Sequence, residues 1–83
     1  MLKKQIKSKR NLDTRSAAHF VQLAGKFEAN ITIEIDNKKT SCKSLMGLIS
    51  LGVMEGQDVL LTAEGVDAAA AVEALEEFVG KDE

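Results

Sequence analysis

Few residues of this 83-residue chain could do chemistry, and Ser44 has the most informative surroundings. It stands near the start of the segment Lys43 to Gly52, in which an apolar run follows the serine and a glycine closes it. A serine ahead of such a run is typical of the N-cap of a short helix, whose unpaired amides favour a negative charge. A phosphate on Ser44 would therefore add negative charge at the N-terminus of this helix. The local sequence alone is also compatible with Ser44 acting only as a helix cap.

The other side chains with acid–base or nucleophilic potential lack neighbours in the sequence that would indicate a catalytic role. His19, the single histidine, falls between core positions of a predicted helix, so we interpret it as a surface or boundary residue. Cys42 lies in a predicted strand without a histidine or cysteine cluster, which indicates a buried small apolar residue. The acids of the C-terminal helix lie on its outer face and predict a solvated surface; they are Glu73, Glu76 and Glu77.

Motifs that would indicate catalysis are absent from the sequence. It contains no glycine-rich phosphate loop, zinc or calcium spacing, or dinucleotide fingerprint, so we expect no metal, no cofactor and no enzyme activity. The single cysteine excludes an internal disulfide, and nothing like a signal peptide precedes the first predicted strand, which predicts a cytoplasmic protein. No apolar stretch approaches the roughly 20 residues needed to cross a bilayer.

Charge is divided unevenly along the chain, although the net charge is only −2. Residues 1–43 carry ten basic and four acidic side chains, whereas residues 44–83 carry one basic and nine acidic. A basic start could suggest nucleic-acid binding, but the few aromatic residues offer little stacking, so we predict a solvated edge strand and no direct nucleic-acid contact. The basic residues concerned are Lys3, Lys4, Lys7, Lys9 and Arg10.

Apolar spacing predicts the elements of the first half of the chain. Leu2 and Ile6 indicate a first strand, and Asn11 to Asp13 supply turn and cap residues. Helical spacing then predicts an amphipathic helix up to Gly25 and Lys26, and strict alternation from Asn30 to Ile35 predicts a half-buried strand. The predicted inward positions of the helix are Ala17, Phe20, Val21, Ala24 and Phe27.

The second half begins with a predicted hairpin. Asp36 and Asn37 tolerate positive φ, so the chain should return as a partner strand from Lys38 to Cys42. The helix from Ser44 follows, and the segment Asp58 to Glu64 predicts a final, largely buried strand.

A second long amphipathic helix ends the chain. Asp67 is predicted to be its N-cap, and Val66 to be a hydrophobic staple. The resulting order is β-α-β-β-α-β-α in a single domain, residues 1–83. It predicts an α+β fold, a two-layer open-faced sandwich with the helices on one face of a four-stranded antiparallel sheet. The predicted inward positions of the last helix are Ala68, Val72, Leu75, Phe78 and Val79.

The segment Lys43 to Gly52, followed by Ala63 to Asp67, closely resembles the HPr family, the small phosphocarriers of the bacterial sugar phosphotransferase system. Residues Ala17 to Gln22 and the hairpin Asp36 to Lys39 occur in the order and spacing of that family, so the resemblance covers essentially the whole chain. The resemblance implies the fold just described and two phosphorylation sites, one on a histidine and one on the serine.

The histidine site departs from the family. HPr proteins carry the motif Gly-Leu-His-Ala-Arg-Pro-Ala-Ala, whereas this chain has Asp13 in place of the histidine and Ser16 in place of the proline, and keeps Arg15. A carboxylate would form an acyl phosphate and would need a metal or cationic site for activation. We therefore interpret Asp13 as the N-cap of the first helix, or as a permanent weak negative charge near Arg15. A phosphocarrier would have to use Asp13 or His19.

The serine site matches the family. In Gram-positive HPr proteins this serine is phosphorylated by HPr kinase/phosphorylase, which makes the protein a corepressor of a catabolite control transcriptional regulator. The Crh-like branch of the family keeps the serine and has lost the histidine, and this chain resembles that branch. We predict a regulatory protein phosphorylated at Ser44. The resemblance implies docking residues on two predicted helices: Leu45, Met46, Gly47, Ile49, Arg15 and Ala18.

Two alternatives and the oligomeric state stay open. The chain could be a phosphocarrier that works with enzyme I and other phosphotransferase components, or a scaffold that is not phosphorylated. The lysine-rich first strand has a thin apolar face and joins the rest through a short hinge around Asn11. Because such a strand could be exchanged between two chains, we expect either a monomer or a strand-swapped dimer.

Overall fold

The computed structural model describes residues 1–80 and has four strands and three helices in the predicted order. The strands form one antiparallel sheet with the order β1-β4-β2-β3, and the helices pack on its apolar face, so the predicted fold class is confirmed. The last three residues of the predicted domain lie outside the described part. The elements are β1 (Leu2–Lys7), α1 (Thr14–Ala24), β2 (Asn30–Ile35), β3 (Lys38–Ser41), α2 (Leu45–Leu51), β4 (Asp58–Glu64) and α3 (Ala68–Gly80).

The last strand in the chain lies in the middle of the sheet. β4 pairs with β1 on one side and with β2 on the other, and β1 and β3 form the two edges. The hairpin between β2 and β3 turns at Asp36, which has a φ of 54°. Asparagine and aspartate tolerate this left-handed conformation better than most residues, which explains why the turn falls here.

The core lies between the sheet and the helices. Alternate residues of β2 and β4 point into it, as the period of two requires, and α1 and α3 each bury one face. The Phe20 and Phe78 rings meet with their centroids 6.0 Å apart. None of the three helices in the described chain is both long and apolar enough to span a bilayer. The fully buried side chains of these elements include Phe20, Ile31, Ile33, Val59, Leu61, Leu75 and Val79.

Asp67 precedes α3 as predicted and its carbonyl accepts a hydrogen bond from the Ala71 amide at 2.9 Å, but its side chain does not cap the helix, and the predicted staple is wrong. Both carboxylate oxygens of Asp67 accept hydrogen bonds from the segment before β2, from the amides of Glu28 at 2.8 Å and Ala29 at 2.9 Å. Gly65 (φ 147°) packs against Ala29 so closely that a Cβ at residue 65 would lie 2.7 Å from the Ala29 Cα. This close approach brings Asp67 within hydrogen-bonding distance of Glu28 and Ala29. Val66 is 91% exposed and staples nothing.

Two smaller predictions also need correction. The predicted strand ended at Cys42, but β3 ends at Ser41, because the chain turns at Cys42 to enter α2. Cys42 is buried nevertheless, as predicted, and its amide donates to the Ile31 carbonyl at 2.9 Å. On α3, Glu76 is half-buried rather than fully outward, since it forms a 2.9 Å ion pair with Lys4.

Candidate functional site

Ser44 is the N-cap of α2, as the sequence predicts. Its backbone is extended (φ −110°, ψ 109°), and its Oγ accepts a hydrogen bond from the Gly47 amide at 3.1 Å. The carbonyl of Ser44 accepts the first helical bond, from Leu48 at 3.0 Å. At the other end, Gly52 adopts the left-handed conformation (φ 69°) that commonly terminates helices. The hydroxyl is half-buried and occupies a place where the helix favours negative charge.

The apolar residues of α2 divide between the core and the surface. Leu48 is completely buried, whereas Leu45, Met46 and Ile49 are 36%, 74% and 41% exposed. Met54, which the sequence analysis missed because it follows the glycine that breaks the pattern, is 58% exposed. We call the exposed residues of the helix itself, Leu45, Met46 and Ile49, the α2 surface. Large apolar side chains exposed together on a small protein are typical of a docking surface.

Asp13 caps α1 as Ser44 caps α2. Its Oδ1 accepts a hydrogen bond from the Ser16 amide at 2.9 Å, and its carbonyl accepts from Ala17 at 2.8 Å. These bonds confirm the predicted cap. The hydrogen bond from Ser16 is the largest cause that lowers the pKa of the Asp13 carboxyl, and the charge of Arg15 adds a smaller effect. Asp13 is therefore an anion bound to its own helix.

The remaining predicted site residues of α1 are near its start. Arg15 is exposed, Ala18 is half-buried, and His19 is exposed, as predicted. The start of α1 is fastened to the segment after α2: the Leu12 amide donates to the Val53 carbonyl at 2.9 Å, and the Glu55 amide to Asn11 Oδ1 at 2.7 Å.

These bonds determine how Ser44 lies relative to Asp13, which stands where the family has its histidine. Ser44 lies at the N-terminal end of α2. Asp13 directly follows Asn11 and Leu12, which are hydrogen-bonded to the segment beyond the C-terminal end of α2. The two sites therefore flank α2 at opposite ends. Leu45, Met46 and Ile49 of the α2 surface lie along the helix between them.

Cys42 does not contribute a nucleophile. Burial of its side chain raises the pKa of the thiol to about 12, so the sulfur stays protonated near neutral pH. This agrees with its interpretation as a small apolar core residue.

Comparison with known families places the chain in one of them. Residues 3–81 match the family described as "PTS HPr component phosphorylation site". The chain belongs to the HPr family. Within the HPr family, the chain is 45% identical to the HPr-like protein Crh of Halalkalibacterium halodurans, over 99% of this chain and 100% of that protein.

Solved structures of the HPr family share the fold. The phosphocarrier protein HPr from Bacillus anthracis matches with a TM-score of 0.90 and 42% identity, over 94% of this chain and 95% of that one. Crh of Bacillus subtilis, described as a dimer with a swapping domain, matches with a TM-score of 0.77 and 41% identity, over 94% of this chain and 90% of that one. The chain is thus a homologue both of phosphocarriers and of catabolite-repression proteins.

Proposed function

We propose that this chain is a regulatory HPr-like protein of carbon catabolite control, switched by phosphorylation of Ser44. The observation that carries the proposal is the position of the Ser44 hydroxyl, at the N-cap of α2 and next to the exposed α2 surface. The partners would be HPr kinase/phosphorylase and a catabolite control transcriptional regulator, in the cytoplasm. The chain itself would be the substrate of a kinase and not a catalyst.

The proposed reaction is a phosphoryl transfer from ATP. The Ser44 oxygen forms a bond to the γ-phosphorus as the bond between that phosphorus and the β,γ-bridging oxygen breaks, and a base of the kinase takes the hydroxyl proton. The product carries a charge of about −1.5 to −2 at neutral pH. Because the helix dipole favours an anion at this end, we expect a change in surface charge with little change in fold.

The cap at Asp13 supports the loss of carrier activity. The Asp13 carboxylate accepts its hydrogen bond from the amide of Ser16. The resemblance to HPr puts a proline at residue 16 in phosphocarriers, and proline has no amide hydrogen to donate. The two departures from the family motif therefore depend on each other, because the carboxylate of Asp13 needs the amide that a proline at residue 16 would lack. An aspartate whose carboxylate is already hydrogen-bonded to its own helix is a poor acceptor for phosphoenolpyruvate-derived phosphate.

The phosphorylation itself can be tested directly. Incubation with HPr kinase/phosphorylase and ATP should add one phosphoryl group, located at Ser44 by tandem mass spectrometry, and Ser44→Ala should remain unmodified. In parallel, enzyme I and phosphoenolpyruvate should leave no acid-labile label. A label from enzyme I on Asp13 or His19 would instead support a phosphocarrier, and no label from either enzyme would support a scaffold.

Partner binding gives a second test. The phosphorylated chain should bind the catabolite control regulator, and Ser44→Ala should not. Met46→Ala should weaken that binding about tenfold or more, as expected for a central apolar contact. Val66→Ala is the matched control, since Val66 is also an exposed large apolar residue but precedes α3. Equal loss of affinity in both variants would exclude the α2 surface as the docking site.

We infer that exchange of β1 between two chains, which would convert a monomer into a strand-swapped dimer, is slow. The segment after β1 is fastened at several points: the Ser8 amide donates to Gln57 at 2.8 Å and the Lys9 amide to Val79 at 2.7 Å, besides the bonds of Asn11 and Leu12. Exchange must break these bonds. Light scattering after incubation at high concentration should detect a dimer that persists on dilution; a dimer that forms and dissociates within minutes would contradict slow exchange.

A further inference from the structure

Thr40 is a residue of β3 whose side chain reaches the start of α2. Its Oγ1 would collide with a Cβ at residue 47, so the position requires a glycine. Thr40 Cβ and Ser44 Oγ each lie 3.0 Å from the place that this Cβ would take, so these two atoms are at most twice that distance apart. The hydroxyls of Thr40 and Ser44 therefore lie close to each other on the same side of Gly47.

The Thr40 hydroxyl is available as a donor. Thr40 is half-buried, and none of the hydrogen bonds within residues 1–80 uses its Oγ1. A shallow surface cavity of about 190 Å³ opens beside it, and the side chains that line this cavity include Lys38, Lys39 and Ser50. The cavity is thus open to solvent and carries the positive charge of Lys38 and Lys39, which suits an anionic group.

We propose that Thr40 is a positioning residue for a phosphate on Ser44, to which its hydroxyl donates a hydrogen bond. This inference rests on the proposed function, because it needs phosphorylated Ser44. The phosphate brings three strong acceptor oxygens beside a hydroxyl that already lies near Ser44 Oγ. A hydrogen bond to an anion is roughly twice as strong as one between neutral groups, so Thr40 would fix the orientation in which a partner meets the phosphate.

Nearby lysines act on the phosphate too, and the test must separate them from Thr40. Lys38 and Lys39 line the adjoining cavity, and Lys43 precedes Ser44 with its Nζ hydrogen-bonded to the Phe27 carbonyl at 2.8 Å. Their charges favour the dianion in every variant of Thr40 alike. A difference between Thr40 variants therefore reports on the Thr40 side chain itself.

The experiment is a ³¹P NMR titration of chains with phosphoserine incorporated at residue 44 during translation. Thr40→Val keeps the shape and removes the donor, so it should raise the titration midpoint by roughly half a unit. Thr40→Ser keeps the donor and should titrate like the native residue. Thr32→Val, another half-buried threonine of the sheet, is the matched control and should change nothing.

Two results would overturn the proposal: a Thr40→Val midpoint equal to the native one, or a Thr40→Ser midpoint that shifts as far as that of Thr40→Val. The second result would mean that packing, not the hydroxyl, sets the phosphate's environment. Because the phosphoserine is installed without a kinase, the titration does not depend on the proposed function. Failure of kinase labelling would remove that function, and the titration would still decide the role of Thr40.

Discussion

The N-termini of α1 and α2 are built alike and are occupied differently. Each begins with an extended cap residue whose side-chain oxygen accepts a backbone amide three residues later, at 2.9 Å for Asp13 and 3.1 Å for Ser44. The cap of α1 is a permanent anion. The cap of α2 is neutral, lies beside exposed apolar side chains, and can acquire a charge by modification.

This difference fits the proposal that the chain keeps only one of the two phosphorylation sites of the HPr family. At the start of α1, the aspartate already supplies both a hydrogen-bond acceptor and a negative charge, so phosphorylation is not needed to bring charge to that end. The serine at the start of α2 accepts a backbone hydrogen bond but carries no charge. A phosphate there would therefore add the negative charge that this end of the helix favours. The following experiments are ordered by the size of the effect that the comparison predicts.

The largest effect should come from restoring the family motif at α1. Asp13→His combined with Ser16→Pro replaces the anion and removes the amide that binds it. We expect enzyme I and phosphoenolpyruvate to place an acid-labile label on this variant and none on the native chain. Adding His19→Gln to the variant is the control, and it should leave the label in place. A native chain labelled as fully as the variant would mean that the two helix ends do not differ as proposed.

Gly47→Ala should disturb the α2 end through packing. The new Cβ would collide with the Thr40 side chain. Overpacking of this kind costs about 1–3 kcal/mol of unfolding free energy, of which the better helix propensity of alanine returns about 1. Urea unfolding measures the balance, and adding Thr40→Ala should restore stability. Ser50→Ala, exposed on the same helix, should be nearly neutral. A stabilised Gly47→Ala variant would show that Thr40 moves aside freely.

The two caps should also respond differently to pH. Ser44→Ala should lower the unfolding free energy by about 1 kcal/mol throughout the acid range, because a hydroxyl does not titrate there. The hydrogen bond from Ser16 holds the pKa of the Asp13 carboxyl in the folded chain below its ordinary value of 3.8. Its carboxylate therefore contributes stability above that value, and the contribution is lost as the pH falls through the folded pKa.

Urea midpoints of Asp13→Ala measure this loss. The difference from the native chain should be clear at neutral pH and should shrink on acidification, whereas that of Ser44→Ala should not. Asp13→Asn keeps an acceptor without a titrating charge and serves as the matched control. A difference for Asp13→Ala that is independent of pH would mean that the charge contributes nothing to the cap.

The smallest effect should come from His19→Gln. The side chain is exposed on α1, so the unfolding free energy should change by less than about 0.5 kcal/mol. Labelling by either kinase or enzyme I should not change. An enzyme I label that appears on the native chain and is missing from His19→Gln would identify His19 as an acceptor and would remove the contrast between the two helix ends.

Most of the fold could be predicted from the sequence because its signals are local. Three alternating isoleucines indicate β2, and serine followed by an apolar run and glycine indicates α2. Asp67 escaped this reasoning because its hydrogen-bond partners, Glu28 and Ala29, are far from it in the chain. The side chain of a residue that begins a helix can bind a distant segment instead of capping that helix, and the local sequence pattern does not distinguish the two arrangements.

The helix caps of the candidate site could also be predicted from local sequence, but its packing contacts could not. The caps Asp13 and Ser44 follow from residue type and position. The exposure of Met54 and the contact of Thr40 with Gly47 depend on how β3, α2 and the following loop pack together, which no spacing rule gives.

The central position of β4 has a consequence for synthesis on the ribosome. β1 and β2 each pair with β4, and β4 begins only at Asp58 of an 83-residue chain. A nascent chain stopped before that residue would hold α1 and the β2–β3 hairpin without the strand that joins them to β1. Its isoleucine-rich face would stay exposed to chaperones and proteases. The domain should therefore fold only when nearly complete, and truncated products should not accumulate as partly functional forms.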